Sequence, residues 1–123
     1  MPGLIPHLIA GTALYFIGIY HYRVYFQKNY KNRLLLAIIC IIFSLIPDVF
    51  LGIFYTTHLI SFKTLLPYHI ITHIIIVPIA LIVFTVLIFI FDTKRKPIYM
   101  MGIVAIILHI VMDLTIQETN LFI

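Results

Sequence analysis

The sequence predicts an all-α membrane protein, a bundle of four transmembrane helices with both termini extracytoplasmic. Of its 123 residues 63% are hydrophobic and only 10% charged, and the mean hydropathy is +1.18. A soluble domain of this size needs a far more charged surface. The apolar residues form four runs, each near the ~20 residues that cross a hydrocarbon core as a helix. The Lys and Arg residues gather in two of the three connectors between those runs, as membrane flanks do.

The first span covers residues 4–20. It has no basic leading region and no small-residue cleavage site, so it reads as a retained span and not a removed signal peptide. The connector RVYFQKNYKNR follows, with Arg23, Lys28, Lys31 and Arg33. The second span, 34–54, contains LIPDVF, where Pro47 removes a backbone donor and predicts a bend beside Asp48. It also holds Cys40, the single cysteine, which excludes an intramolecular disulfide and a cysteine-based zinc site and reads as a small apolar filler. The middle connector carries one basic residue, Lys63. The third span, 67–91, opens with PYHIITH, and the fourth, 98–116, follows DTKRKP with Lys94, Arg95 and Lys96. No internal repeat or second domain is visible, so residues 1–123 form one integral membrane domain.

Seven basic residues on connectors one and three against one on connector two set the orientation. By the positive-inside rule the first and third connectors are cytoplasmic, and the middle connector and both termini lie outside. The formal charge of +4 therefore belongs to membrane flanks, and nucleic acid is not expected as a partner. The expected location is the cytoplasmic (plasma) membrane of a prokaryote, with several passes and the lipid bilayer as the partner.

The polar residues of the spans then fall into a layer. His7 lies near the outer end of span one, Asp48 towards the outer end of span two, and His58 and His69 on either side of the outer connector. His73 lies one turn into span three, and His109 and Asp113 in the last third of span four. At ~1.5 Å per residue all sit within roughly 12 Å of the outer boundary. Only His21, of six histidines, is at the inner end. An ionised Asp at mid-membrane costs about 2.5–3.5 kcal/mol, and two neighbouring carboxylates repel. A divalent cation relieves both penalties and accepts neutral imidazoles. Residues four apart share a helical face, so His69 pairs with His73 and His109 with Asp113.

Each of these residues also has a plainer reading when taken singly. His7 and His69 read as interfacial residues, the latter beside Tyr68, and His58 as a solvated loop residue. Asp48 reads as a helix cap, and His109 with Asp113 as a hydrogen-bonded pair holding helices together. Convergence at one depth is the reason to prefer a common site.

The ordered elements PHLIAG (His7, Gly11), SLIPDV (Pro47, Asp48), YHIITH (His69, Thr72, His73) and LHIVMD (His109, Asp113) span nearly the whole chain. In that order they resemble the membrane-bound, metal-dependent hydrolases that include the LexA-regulated inner-membrane hydrolases of bacteria and many archaeal relatives. That family is in turn distantly similar to zinc-dependent phospholipase C. The resemblance implies metal binding and hydrolysis of a phosphoester. The chain departs from the family pattern at Val49 and Phe50, where a further acid is usual, and at Ile70 and Ile74, where Arg and Ser are frequent.

The expected function is thus a membrane-embedded metal-dependent hydrolase of the phosphoesterase class, acting on a lipid-like phosphoester at the outer leaflet. His7, Asp48, His73, His109 and Asp113 are the expected metal ligands, with His69 a further candidate. An unligated His69 or His58 is the expected acid for the leaving group. The mixed nitrogen and oxygen set suits zinc first, with manganese and iron as alternatives. Two other readings stay open. One is a divalent-metal carrier, which in a four-span chain calls for a homodimer, or a metal-binding family member that has lost catalysis. The other is a haem protein with histidine axial ligands.

Overall fold

Helices make up nearly all of residues 4–115, the residues described by the computed structural model, and no strand occurs among them. Helix α1 spans Leu4–His21 and a short α2, Arg23–Lys28, lies in the first connector. Helix α3 (Asn32–Leu45) runs through a 3₁₀ turn, Ile46–Asp48, into α4 (Val49–Thr57). Helix α5 (Phe62–Ile71) leads through a π-helical turn, Thr72–Ile76, into α6 (Val77–Val86), and a second π turn, Leu87–Phe91, follows. Helix α7 (Lys96–Thr115) closes the described chain. Four rods result, Leu4–His21, Asn32–Phe54, Phe62–Phe91 and Thr93–Thr115, each long and apolar enough to cross a membrane.

The third rod begins at Phe62, before the expected start at Pro67. Ser61 explains the difference. Its hydroxyl accepts the Thr64 backbone N–H at 3.3 Å and contacts the Thr64 hydroxyl at 2.8 Å, an N-cap in a polar stretch where hydropathy gives no signal. Pro67 sits inside this helix and does not open it. The other rods match the expected spans to within a few residues, except that the fourth begins at Thr93, before Ile98. Residue 116, its expected end, lies outside the described residues.

Helix α3 is central and packs on both α1 and α7, which also touch each other, while α6 lies on α7 and α4 on α5. The core between them includes Leu36, Ile39, Cys40, Phe84, Ile98 and Ala105. Cys40 is buried and free, as a filler should be. Glycine permits the closest approach. A Cβ on Gly11 would lie 2.9 Å from the Cys40 carbonyl oxygen and 3.0 Å from the Ser44 hydroxyl, so α1 rests directly on the α3 backbone. Outward faces carry exposed Ile9, Phe16, Ile82 and Phe89, as lipid-facing surfaces do. At the end of the bundle away from α1's start, Asp92 accepts hydrogen bonds from the Tyr99 hydroxyl at 2.9 Å and Arg95 at 3.1 Å, tying the third connector to α7.

Candidate metal centre

Each of the polar residues that the sequence places in one layer is aimed by a local feature. His7 is one turn into α1 and four residues before Gly11, so the helical face that presses on α3 is the face that carries His7. Asp48 ends the 3₁₀ turn that has Pro47 as its middle residue, with φ −98° and ψ 9°. It occupies the N-cap position of α4 but makes no capping hydrogen bond. Its carboxylate turns into the bundle instead, which removes the plain reading of a helix cap. His69 lies near the end of α5 and His73 within the π turn. Pro78 gives a reason for that turn. It lacks the N–H that would pair with the Ile74 carbonyl, and the register widens so that Val77 N–H reaches the Thr72 carbonyl five residues back. His109 and Asp113 stand one turn apart on α7.

These six side chains converge. His7 Nε2 is 3.0 Å from Asp48 Oδ2 and 3.2 Å from Asp113 Oδ1. His73 Nε2 is 2.9 Å from Asp113 Oδ2, and His109 Nε2 is 3.2 Å from the same oxygen. His69 Nδ1 is 3.3 Å from Asp48 Oδ1. The His7 and His109 rings stack with centroids 4.2 Å apart. His7 and His69 are both fully buried, 0% exposed, so neither is an interfacial residue, and His109 and Asp113 belong to a larger group than a mutual pair.

Backbone acceptors orient two of the rings. His109 donates through Nδ1 to the Ser44 carbonyl at 2.9 Å, and His73 donates through Nδ1 to the His69 carbonyl at 3.0 Å. In a neutral ring this leaves the lone pair on Nε2. The two Nε2 atoms are 3.2 Å apart, so in neutral rings two lone pairs face each other, an arrangement that a proton or a bound cation would relieve. The Thr72 hydroxyl is 2.7 Å from the Pro47 carbonyl and 2.6 Å from that of His69, and its one proton links the turn before Asp48 to the turn that bears the histidines.

The donor set fits a metal. Both ring nitrogens of His7 and His69, with Asp48 Oδ1 and Asp113 Oδ1, are buried and meet no partner in hydrogen-bond geometry among the described residues. For His7 Nε2 and His69 Nδ1 the carboxylates are within reach but out of line with a ring N–H. Buried polar atoms are ordinarily paired, and a cation bound here would take up what hydrogen bonding leaves open. Two donor groups result, His7 with Asp48, His109 and Asp113, and Asp48 with His69 and His73. Within each group the ligating atoms lie within 4.8 Å of one another. Imidazole and carboxylate together are borderline-hard ligands suited to zinc, manganese or iron.

His58 lies outside both groups. It closes α4 in a left-handed conformation, φ 53°, exposed and with its ring against Phe54. His21 is exposed at the far end of α1, against Tyr22. A groove of about 300 Å³ runs from the centre to the outer wall, lined by His69, Ile70, His73, Ile74, Ile110, Asp113 and Leu114. A groove of similar size, about 320 Å³, lies between the start of α1 and the α3–α4 bend but has no His or Asp in its lining. The supporting Ser44 carbonyl and the groove were not evident from the sequence. A carbonyl is common to every residue, and the groove depends on which faces meet.

No family model matches this chain, and no significant match was found among curated proteins or solved structures.

Proposed function

We propose that the chain is a membrane-embedded, metal-dependent hydrolase that cleaves a phosphoester of a lipid-like substrate at the outer leaflet. One observation carries this reading: His7, Asp48, His69, His73, His109 and Asp113, drawn from four apolar rods, form one buried donor cluster that opens sideways through an apolar groove. The resemblance to membrane-bound hydrolases points the same way, because its His and Asp positions are the members of the cluster and its Thr72 touches the two segments that supply them. The charge asymmetry of the connectors supports an outward-facing site and a multi-pass protein of the plasma membrane.

His7, Asp48, His73, His109 and Asp113 would hold a divalent cation, which would supply Lewis acidity towards water and a phosphoryl oxygen. The chain's own groups do the rest. Asp48 and Asp113 provide the negative charge that holds a cation in a low-dielectric layer. The Ser44 and His69 carbonyls fix the His109 and His73 rings with Nε2 pointing inward. Ile70, Ile74, Ile110 and Leu114 offer an apolar channel for a hydrocarbon chain whose headgroup meets His69, His73 and Asp113. Ile70 and Ile74, where the hydrolases often have Arg and Ser, lie in this channel.

The test uses protein purified in detergent, chelated and then resupplied with zinc or manganese. Metal-dependent hydrolysis of a long-chain lipid phosphoester, faster than that of a short water-soluble one, is expected. Bound metal with no turnover on any phosphoester would refute the hydrolase and favour a carrier. A haem absorption band would overturn both.

A further inference from the structure

We infer that the chamber is built for two divalent cations joined by Asp48, with His69 a ligand of the second and not a proton donor. This inference rests on the metal-binding part of the proposed function. It is carried by how the two oxygens of Asp48 are divided. Oδ2 faces His7 Nε2 at 3.0 Å and His109 Nε2 at 3.9 Å. Oδ1 faces His69 Nδ1 at 3.3 Å and His73 Nε2 at 3.8 Å, and His73 Nε2, which also lies 2.9 Å from Asp113 Oδ2 and 3.2 Å from His109 Nε2, stands between the two donor groups. One carboxylate therefore presents one oxygen to each donor group, and Asp48 is the residue common to both groups. A carboxylate serving a single ion would need only one side occupied by nitrogen donors.

His69 is the second observation. It is fully buried, and neither ring nitrogen has a hydrogen-bond partner among the described residues. An acid that protonates a leaving group needs a neighbour that holds its ring by the other nitrogen, and the carboxylate nearest to His69, Asp48 Oδ1 at 3.3 Å from Nδ1, is out of line with a ring N–H. A ligand needs only a lone pair directed at the ion. The pairing with His73, ring centroids 4.4 Å apart on the α5 to π-turn junction, sets two nitrogens beside Asp48 Oδ1.

Charge gives the second ion a purpose. Among the described residues no Lys or Arg lines the groove or belongs to either donor group. Two carboxylates cancel one divalent ion and leave nothing to attract an anion. With two such ions the same residues leave a surplus of positive charge, which does for a phosphate group what a guanidinium ordinarily does. The position of Ile70, apolar where an Arg is frequent among the resembling hydrolases, is then no obstacle to anion binding.

The experiment is a Mn²⁺ titration of the full-length protein in detergent after chelation, read by elemental analysis and by electron paramagnetic resonance. Wild type is expected to bind two ions per chain, with a spectrum showing exchange coupling. His69→Ala and His7→Ala should each retain one uncoupled ion, Asp48→Asn should lose the coupling and most of the metal, and His21→Ala should match wild type. Inorganic phosphate should bind loaded wild type and weaken by about tenfold or more in His69→Ala. One ion per chain, or isolated Mn²⁺ spectra from wild type, would overturn the pair. The wild-type spectrum needs no substitution to fold. Two coupled ions without turnover would sustain the pair and sink the hydrolase, one ion with turnover the reverse, and absence of metal binding would sink both.

Discussion

His109 shows how one side chain is committed to one task. Its Nδ1 is occupied by the Ser44 carbonyl and its Nε2 is 3.2 Å from Asp113. Removing that carboxylate takes away a ligand and half of the negative charge of the cluster. Asp113→Ala is therefore expected to weaken metal binding by more than the ~10–100-fold typical of losing a supporting hydrogen bond, and His21→Ala to leave it unchanged, both read by titration after chelation. Unaltered metal content in the Asp113 variant would make it a helix–helix residue. Thr72→Val tests the supporting layer. It leaves the Pro47 carbonyl short of its 2.7 Å donor, which costs about 1–3 kcal/mol for a buried group, and should lower both the thermal midpoint and metal affinity, the latter by about tenfold. At this scale the residue types of the cluster were legible, because His and Asp are costly in apolar runs and stand out there. The orienting carbonyls were not, since no side chain announces them.

Among the elements, α1 and the π turn matter most to the site. The Gly11 contact is with backbone, which has little freedom to move aside. Gly11→Ala should force α1 away from α3, carry His7 with it, and cost about 1–3 kcal/mol as overpacking does. A fall in thermal stability together with lost metal is the expected result, measured by melting and titration in detergent. Retention of both would show that α1 is not pinned there. The helices themselves were readable from run length, and the bend at Pro47 from the proline. The start of the third rod was not, because Ser61, Lys63 and Thr64 hide a capped helical turn in a polar stretch. The π turn was not either. It depends on a single missing donor at Pro78, and hydrophobic periodicity does not register a one-residue change in hydrogen-bond register.

For the whole molecule, the expected topology makes the polar cluster extracytoplasmic. A tag at either terminus should react with an impermeant reagent added to intact cells, since seven basic residues flank the two connectors on the opposite side and one flanks the middle connector. Reaction only after the cytoplasm is opened would reverse the orientation and place the site at the inner leaflet. The common depth of the six donors was legible by counting residues along each span. Their meeting in one chamber was not, because depth leaves rotation about each helix axis undetermined. That rotation is set by contacts such as Gly11 on Cys40 and Gly102 on Phe84, which only the packed bundle reveals.

The sideways groove has a kinetic consequence. Its outer wall includes Ile74, 68% exposed, and Leu114, 82% exposed, on a surface with the apolar character of one that meets lipid tails. A substrate taken up through it would be sampled in two dimensions, and its effective concentration would be its mole fraction in the surface and not its amount per volume. Diluting a lipid phosphoester with inert detergent, at fixed bulk concentration, should then slow turnover in proportion to surface dilution, while a water-soluble phosphoester should be indifferent to the added detergent.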